Sequence, residues 1–376
     1  TVYNTDPVEG TIQIGQDGYP YVEGGTNGLT LRVEDSVKKI RKAIRNWDGS
    51  NLSIELEYDT NKPYIGKETL EQVRDILGQA TTDYSASSGA RATNVENGCR
   101  LINGSLVWPG EEFSVTDMLV PFSAENGYQP APTYEENRTV DSYGGGICQV
   151  STTLYNAVLK AELEVTARSN HTMMVAYVEP SKDAAIAEGV MDFRFVNNSD
   201  APIYLEGYCS GGQITFVIFG HETRPANRTL NFESRVLSTT QPDGFKLYPD
   251  ATQNVGYVMQ TQSPHTGYTA ELWKQIYIDG VLTDEYCVNQ SVYQAVGTIY
   301  SVGVVSPNPS VQQAMYGAIA SNNLEAVQQI IQTGQAAAQQ QVDPVTGQPL
   351  PQANASGDID DNAAPASGNG DIVIVQ

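Results

Sequence analysis

The sequence is poor in basic residues and in histidine. It contains 21 lysines and arginines against 44 aspartates and glutamates, which gives a net charge of −23 over 376 residues. Because no local basic cluster offsets this charge, the chain repels nucleic-acid phosphates and anionic membrane surfaces, and a nucleic-acid-binding protein is excluded. There are only three histidines, so a histidine near another reactive side chain stands out.

Cysteine is scarce as well, and its spacing argues against a zinc site. The four cysteines are widely separated and form no CxxC pair; they are Cys99, Cys148, Cys209 and Cys287. Zinc sites are built from closely spaced ligand pairs, so this spacing argues against zinc. We expect no metal or organic cofactor, because the cysteine chemistry inferred below requires neither. A disulfide between two of Cys99, Cys209 and Cys287 stays open, as does the alternative of three buried thiols.

Long apolar runs and a signal-peptide pattern are also missing. No stretch of about 18 apolar residues occurs, so no segment of this sequence is expected to span a bilayer. The sequence begins at Thr1 and not at a methionine. We therefore expect an extracytoplasmic protein associated with the cell envelope, whose export signal or membrane anchor lies outside this sequence.

What the sequence does contain is a cysteine directly after a glycine run, in the GGGIC segment at 144–148. Apolar residues then recur three or four positions apart, which predicts a helix from about Cys148 to Leu163. The free N–H groups of its first turn favour an anion and lower the pKa of a thiol. Backbone N–H groups near Gly145, Gly146 and Cys148 are candidates for an oxyanion hole. The alternative is a buried cysteine behind a tight turn.

His171 follows this helix and is a candidate base for the cysteine. The alternation from Met173 to Val178 predicts a strand that returns beside the start of the helix. A thiol needs a neutral imidazole within about 3 Å to take its proton, and the imidazole needs a partner that fixes its tautomer. Asp183 and Asp192 are the candidate partners, in that order. A solvated loop histidine is the alternative.

A longer series of residues and motifs extends over roughly residues 83 to 208. It consists of Arg91, Asn94, Asn103-Gly104, PGEEFS at 109–114, Gly127-Tyr128, Ala131-Pro132, GGGICQVSTTLYNA at 144–157, Arg168, His171, Tyr177, Asp183-Ala184, Asp192 and Asn197-Asn198. In this order the series resembles the VanW family, which takes its name from an accessory gene of glycopeptide resistance. The resemblance implies a cell-wall L,D-transpeptidase whose nucleophile is the cysteine of the GGGxCQ motif, here Cys148.

The resemblance also implies a role for each site residue. Cys148 attacks the carbonyl of an L,D-peptide bond in a tetrapeptide stem, releases the terminal D-amino acid and forms a thioester, which the amine of a neighbouring stem resolves. His171 acts as the base. Arg168 pairs with a stem carboxylate, and Tyr177 and Ser151 contact the substrate. The expected partners are peptidoglycan stem peptides and glycan.

The expected fold class is α+β, with several domains. Residues 8–82 form a small α/β module that resembles the peptidoglycan-binding domain found beside VanW domains, although a packing module that spaces the catalytic domain from the membrane is the alternative. Residues 83–224 form the α+β VanW domain. Residues 231–304 form a small all-β module that resembles the five-glycine extracellular domain. Residues 305–376 form short helices and a flexible acidic tail, with little fixed structure from about Gln341 onward.

Local patterns predict individual elements in the outer modules. In the N-terminal module they indicate a hairpin around Asp17-Gly18, a helix that begins near Asp35, a strand at 52–56 and a second helix over 70–77. In the C-terminal module, Asp279-Gly280 lies between two alternating runs and predicts another hairpin. Apolar spacing after Val304 predicts one or two short helices, interrupted at residues 321–323.

Two other functions stay open on the sequence alone. If water resolves the thioester, the same residues form a cysteine L,D-carboxypeptidase or endopeptidase. If the domain performs no chemistry, the protein is a peptidoglycan-binding or scaffolding protein of the cell envelope. The position of His171 relative to the thiol of Cys148 separates the enzymes from the scaffold.

Overall fold

The computed structural model describes residues 4–135 and 138–339, and its fold class is α+β with several sheets, as predicted. The N-terminal part contains β1 (Thr11–Ile14), β2 (Pro20–Glu23), β3 (Gly28–Leu31), α1 (Val33–Arg45), β4 (Tyr58–Asn61) and α2 (Lys67–Leu70). β1 pairs with β2 and β3 pairs with β4, both antiparallel. The hairpin at Asp17-Gly18 and the helix near Asp35 are confirmed.

Two predictions for this part of the chain are wrong. Residues 52–56 do not form a strand, because the segment that pairs with β3 is β4, a few residues later. The helix predicted over 70–77 ends at Leu70, and Leu77 lies in the strand β5 (Asp75–Asp83). Along β5, buried and exposed residues alternate from Gly78 onward, so pairing with a neighbouring strand overrides the helical spacing of three leucine and valine residues.

The central domain places one helix against a four-stranded sheet. Its elements are β5, α3 (Gly89–Ile102), β6 (Ser105–Val107), β7 (Glu112–Ser114), α4 (Val115–Leu119), a 3-10 helix (Ala124–Asn126), β8 (Pro130–Glu135), β9 (Arg138–Tyr143), α5 (Ile147–Ala161), β10 (Glu164–Ala167), β11 (Arg194–Val196), β12 (Ile203–Ser210) and β13 (Gln213–Gly220). The main sheet has the antiparallel order β5-β13-β12-β6. The boundary expected between residues 82 and 83 therefore falls inside a strand of this sheet.

The helix α5 is the predicted helix after the glycine run, and its bounds agree with the expectation to within two residues. It packs on β5 and β13 on one side and on α3 on the other. Val150, Leu154 and Val158 are fully buried. The approach to β5 is so close that a Cβ at Gly78 would lie 2.3 Å from the carbonyl oxygen of Ala157. This contact requires a glycine and allows the C-terminal half of α5 to lie directly against β5.

The C-terminal domain is all-β with two helices packed on it. Its elements are β14 (Arg228–Thr240), β15 (Phe245–Asn254), β16 (Val258–Gln262), β17 (Gly267–Ile278), β18 (Val281–Tyr293), β19 (Thr298–Val305), α6 (Pro309–Ala320) and α7 (Leu324–Gln339). One sheet has the order β14-β17-β18 and the other β15-β19-β16. Asp279 and Gly280 both have positive φ, at 50° and 77°, which is the conformation of a tight hairpin turn and confirms that prediction.

The two helices after Val304 are also confirmed, including the interruption at residues 321–323. Met315 and Ile319 of α6 pack on Leu247 and Val302 of the sheet, so these helices belong to the C-terminal domain. The flexible segment expected from about residue 341 lies outside the described residues. None of the helices in the described ranges has the length and apolar composition that crossing a bilayer requires.

Candidate active site

Cys148 is the second residue of α5 and lines a cavity of about 590 Å³, a size that is ordinary for a ligand pocket. The chain enters α5 through a turn in which Gly144 and Gly146 have φ of +85° and +104°, where residues with a Cβ are strained. The cysteine is half-buried, and its Sγ donates to the carbonyl oxygen of Ile186 at 3.4 Å. The thiol is therefore held in place while it remains accessible from the cavity.

His171 lines the same cavity, and its ring is hydrogen-bonded to the Cys148 thiol. The Nδ1 atom of His171 lies 2.7 Å from Oδ2 of Asp183, and the backbone N–H of His171 donates to the same oxygen at 2.7 Å. With Nδ1 facing the carboxylate, Nε2 is the ring nitrogen that serves the thiol. The structure thus joins Cys148, His171 and the first of the two candidate orienting carboxylates in one hydrogen-bonded chain.

The interactions among Cys148, His171 and Asp183 shift the pKa of each group toward its charged form. Burial raises the pKa of the Cys148 thiol, but the hydrogen bond and the charge of His171 outweigh it, and the pKa is lowered from its ordinary value. Burial lowers the pKa of His171, yet the bonds to Asp183 and Cys148 raise it to about 9. Burial raises the pKa of Asp183, and His171 and Arg168 bring it below its ordinary value. Both shifts at Cys148 and His171 favour the pair of a thiolate and an imidazolium over the neutral pair, and the thiolate is the reactive form of a cysteine.

Asp183 is completely buried, and donors from separate parts of the chain fix its carboxylate. Arg168 donates from Nη2 to Oδ1 at 2.9 Å and from Nε to the backbone oxygen of Asp183 at 2.7 Å. Tyr293 donates from its hydroxyl to Oδ1 at 2.5 Å. Sequence reasoning missed Tyr293, because it lies on β18 and no local pattern relates it to Asp183. A buried, ionised carboxylate with these donors is a rigid support for the imidazole.

The structure contradicts the expected substrate contacts of Arg168 and Ser151. The side chain of Arg168 is 8% exposed, and its guanidinium is taken up by Asp183 and by the hydroxyl of Ser291 at 2.9 Å. It therefore orients the carboxylate and has no free face for a stem carboxylate. Ser151 is fully buried and donates to the carbonyl of Ala184 at 2.6 Å. This hydrogen bond links the segment after Asp183 to α5.

Asp192, the second candidate partner of His171, lies elsewhere. It accepts hydrogen bonds from the hydroxyl of Ser114 at 2.8 Å and from the backbone N–H of Thr116 at 3.0 Å. Arg194 donates to it at 2.6 Å. These contacts join β11 to the start of α4, so Asp192 holds the fold together and does not orient His171.

The predicted oxyanion donors differ in their surroundings. The N–H of Gly145 donates to the carbonyl of Ser142 at 3.4 Å, and its carbonyl accepts from the side-chain amide of Asn94 at 2.9 Å. Among the described residues, no acceptor is bonded to the N–H of Gly146 or of Cys148. These two groups are the better-placed donors, and the oxyanion role of all three positions stays a prediction.

The segment from Met173 to Val178 is a series of turns and bends, so the predicted strand is wrong. The alternation that suggested a strand is nevertheless real. Met173, Val175 and Tyr177 all line the cavity, because the segment lies along it without a backbone partner strand in the described part of the chain. Burial raises the pKa of Tyr177 well above its ordinary value, so its phenol is a neutral hydrogen-bond donor.

The structure contradicts both alternatives left open for Cys99, Cys209 and Cys287, the disulfide as well as the three buried thiols. All four cysteines are free. Cys99 is buried and hydrogen-bonded to Cys209, which is half-buried. Cys287 is exposed, so the alternative of three buried thiols is wrong. Of the four, only Cys148 combines the start of a helix with a histidine partner.

A hydrogen-bonded Cys-His-Asp chain at the start of a buried helix defines the class of site. Residues 90–219 match the family described as VanW like protein. The chain is 34% identical over 161 residues to the uncharacterized protein YoaR of Bacillus subtilis, covering 43% of this chain and 53% of that protein. It is 29% identical over 113 residues to the vancomycin B-type resistance protein VanW of Enterococcus faecalis, covering 28% of this chain and 41% of that protein. The central part of the chain is therefore similar to the VanW family.

The chain thus spans about half the length of these relatives or less, at 53% and 41%. Among solved structures, the G5 domain of an IgA1 protease is similar to a part of it, with 12% identity, 21% of this chain and 94% of that domain covered, and a TM-score of 0.14. The resemblances of residues 8–82 to a peptidoglycan-binding domain and of residues 231–304 to a five-glycine domain stay predictions.

Proposed function

We propose that this protein is a cysteine acyltransferase of the cell envelope that acts on peptidoglycan stem peptides as an L,D-transpeptidase. The observation that carries the proposal is the hydrogen-bonded chain from the Cys148 thiol through His171 to Asp183, at the wall of a cavity. A protein that only binds or spaces the cell wall needs no activated thiol. A buried carboxylate that serves a cavity histidine is the arrangement of a nucleophilic enzyme.

In the first half-reaction, the Cys148 thiolate attacks the carbonyl carbon of an L,D-peptide bond. A carbon–sulfur bond forms, and the carbonyl oxygen becomes an oxyanion that the N–H groups of Gly146 and Cys148 stabilise. The imidazolium of His171 gives its proton to the nitrogen of the leaving amino acid as the carbon–nitrogen bond breaks. The products are a thioester on Cys148, a free D-amino acid and a neutral His171.

In the second half-reaction, the amine of a neighbouring stem attacks the thioester. Neutral His171 takes a proton from the incoming nitrogen, the carbon–sulfur bond breaks, and the thiolate and imidazolium are restored. Asp183 stays ionised throughout and keeps the proton of the neutral ring on Nδ1, so that Nε2 can act as acid and base in turn. The new bond is an amide cross-link between two stems.

The cavity lining agrees with a peptide substrate. Phe122, Met173, Val175, Ile186 and Met191 give it apolar walls that can cover the aliphatic part of a stem peptide. Apolar walls of this kind also limit the access of water to a thioester. This favours transfer to an amine over hydrolysis.

The proposal is tested by mass spectrometry of the protein incubated with disaccharide-tetrapeptides. We expect loss of the terminal D-amino acid, a thioester on the peptide that contains Cys148, and cross-linked stems when an acceptor is present. Cys148→Ala should give none of these products, and Cys287→Ala, which removes an exposed thiol, should give all of them. Tripeptide as the sole product with acceptor present would identify a carboxypeptidase. The absence of both adduct and product would leave the scaffolding function as the better account.

A further inference from the structure

One cation of the cavity lining has no carboxylate partner among the described residues. Arg91, near the start of α3, lines the cavity together with Cys148 and His171. Its guanidinium donates from Nη1 to the hydroxyl of Ser87 and from Nη2 to Oε1 of Gln149 at 2.9 Å. Within the described ranges, no aspartate or glutamate forms an ion pair with it. Because a guanidinium carries five N–H donors, the two bonds leave three donors for a ligand.

The position of this guanidinium is fixed by the residue that follows the nucleophile. Gln149 is buried, and its Nε2 donates to the hydroxyl of Thr82 at 3.1 Å and to the carbonyl of Asp83 at 2.8 Å. Both amide hydrogens are used, so Oε1 is left to face Arg91. This network ties the arginine to strand β5 and to the first turn of α5. A binding residue held in this way loses little conformational entropy when a ligand arrives.

Arg91 also lies next to a predicted oxyanion donor. A Cβ built on Gly146 would be 2.9 Å from Cγ of Arg91 and 3.2 Å from its carbonyl oxygen. The arginine side chain therefore runs along the peptide group that precedes α5. A ligand whose carbonyl oxygen sits at the N–H of Gly146 has its next few atoms within reach of the guanidinium.

The other charges of the lining do not compete for an anion. Among the described lining residues, Glu188 is acidic and exposed, and His171 is engaged with Cys148 and Asp183. Arg168, which the sequence suggested as the carboxylate ligand, is buried and already hydrogen-bonded to Asp183. An anionic group that enters the cavity thus meets Arg91 as its fixed positive charge.

We propose that Arg91 is the subsite for the C-terminal carboxylate of the donor peptide, the carboxylate of the residue that leaves. The assignment of this carboxylate to a donor peptide rests on the proposed function. A planar guanidinium matches a carboxylate with two parallel hydrogen bonds, which fixes both distance and orientation. One further residue after the scissile bond would shift the carboxylate by roughly 3.3 to 3.6 Å. Arg91 therefore selects donors that end one residue after the attacked carbonyl.

The first test compares two alkylating agents at Cys148, iodoacetate and iodoacetamide, which differ in charge. In the unaltered protein, Arg91 should favour the anionic reagent. We expect Arg91→Gln to lower the ratio of the iodoacetate rate to the iodoacetamide rate by about tenfold, the effect of one charged hydrogen bond. Arg100→Gln, on the same helix and exposed, is the matched control and should leave the ratio unchanged. An unchanged ratio in Arg91→Gln would overturn the subsite.

The second test needs neither catalysis nor a change at Arg91. Calorimetry with the Cys148→Ala protein compares a tetrapeptide stem that has a free carboxylate with the same stem amidated at its C-terminus. We expect the amide to bind about tenfold more weakly. Equal affinities would refute the carboxylate subsite even if the protein proves to be a transpeptidase. Conversely, a clear preference for the carboxylate in this variant, together with no turnover of the stem by the unaltered protein, would refute the transpeptidase and retain the subsite.

Discussion

The hydroxyl of Tyr293 donates a hydrogen bond of 2.5 Å to Oδ1 of Asp183, the carboxylate that holds His171. The two residues are 110 positions apart and belong to different domains. The same hydroxyl accepts a hydrogen bond from the backbone N–H of Ser181 at 2.7 Å. The C-terminal domain therefore completes the support of His171.

Two further residues of β18 also form hydrogen bonds to residues of the central domain. Ser291 accepts from Arg168 at 2.9 Å, and the side-chain amide of Asn289 donates to the hydroxyl of Tyr155 at 2.7 Å. Asn289, Ser291 and Tyr293 alternate along the strand, so their side chains share one face. β18 is an edge strand of its sheet, and this face covers the interior side of the candidate site. Through this face the C-terminal domain forms one wall of the central domain.

Tyr293→Phe tests this interdomain support. Removing a donor from the buried Asp183 should lower the free energy of unfolding by about 1 to 3 kcal/mol. It should also leave more negative charge on the carboxylate that faces His171, so the pKa of His171 should rise. The measurement is the pH dependence of acylation, whose alkaline limb should move to higher pH.

Tyr286→Phe is the control for that variant, since Tyr286 lies on the same strand and is exposed. It should change neither the stability nor the pH dependence. If Tyr293→Phe lowers stability but leaves the pH profile in place, Tyr293 is a packing residue only.

A second prediction ranks the thiols by reactivity. Cys148 should react fastest with iodoacetamide near a pH of about 6.5, because the pKa of a thiolate beside an imidazolium lies below that of a free cysteine, about 8.5. Cys287 is the most exposed thiol, yet the partial desolvation of its sulfur and the charge of the nearby Glu271 raise its pKa. Exposure and activation therefore make opposite predictions for these two residues. Alkylation measured peptide by peptide decides between them, and a faster Cys287 would show that Cys148 is not activated.

A third prediction concerns the base. His171→Ala should slow acylation by a factor of about 10² to 10⁴, because a positioned acid–base group contributes that much. Substrate affinity, measured in the Cys148→Ala background, should change little. His221→Ala is the matched control, since His221 lies outside the cavity lining and is partly exposed. Equal losses in the two variants would argue against His171 as the base.

The parts of the fold that follow from local chemistry could be predicted from the sequence. The turn at Asp279-Gly280 needs two residues that tolerate positive φ, and the helix α5 needs a glycine entry and an apolar stripe. Each of these two sequence signals is contained within one short segment of the chain. The strand β5 could not be recognised, because its conformation depends on pairing with β13, more than a hundred residues later.

The residues of the candidate site also differ in whether the sequence alone predicts their functions. The proposed nucleophile and the proposed base carry local signals, namely the glycine run before Cys148 and the scarcity of histidine around His171. The proposed functions of Arg168 and Arg91 do not, because the tertiary fold pairs Arg168 with Asp183 and gives Arg91 only the neutral partners Ser87 and Gln149 among the described residues. Charge alone favours both as carboxylate ligands, and burial decides between them.

The fourth prediction uses the pKa of about 9 that His171 has in this site. The imidazolium is the acid that protonates the leaving nitrogen, so acylation should fall as the pH rises through about 9. Asp183→Asn removes the negative charge that helps to raise this pKa, so the alkaline limb should move to lower pH and the maximal rate should fall. Asp192→Asn is the control, because Asp192 binds Ser114 and Thr116 and does not contact His171.

Rates of D-amino acid release between pH 5 and pH 10 measure this prediction. The raised pKa keeps the proton on His171 below about 9, and its loss above that pH removes the acid. Alkylation of Cys148 by iodoacetamide should not fall on the same limb, because a thiolate needs no proton donor to react. If both reactions decline together, the alkaline limb reports a loss of structure. If Asp183→Asn and Asp192→Asn shift the limb equally, the charge of Asp183 does not act through His171.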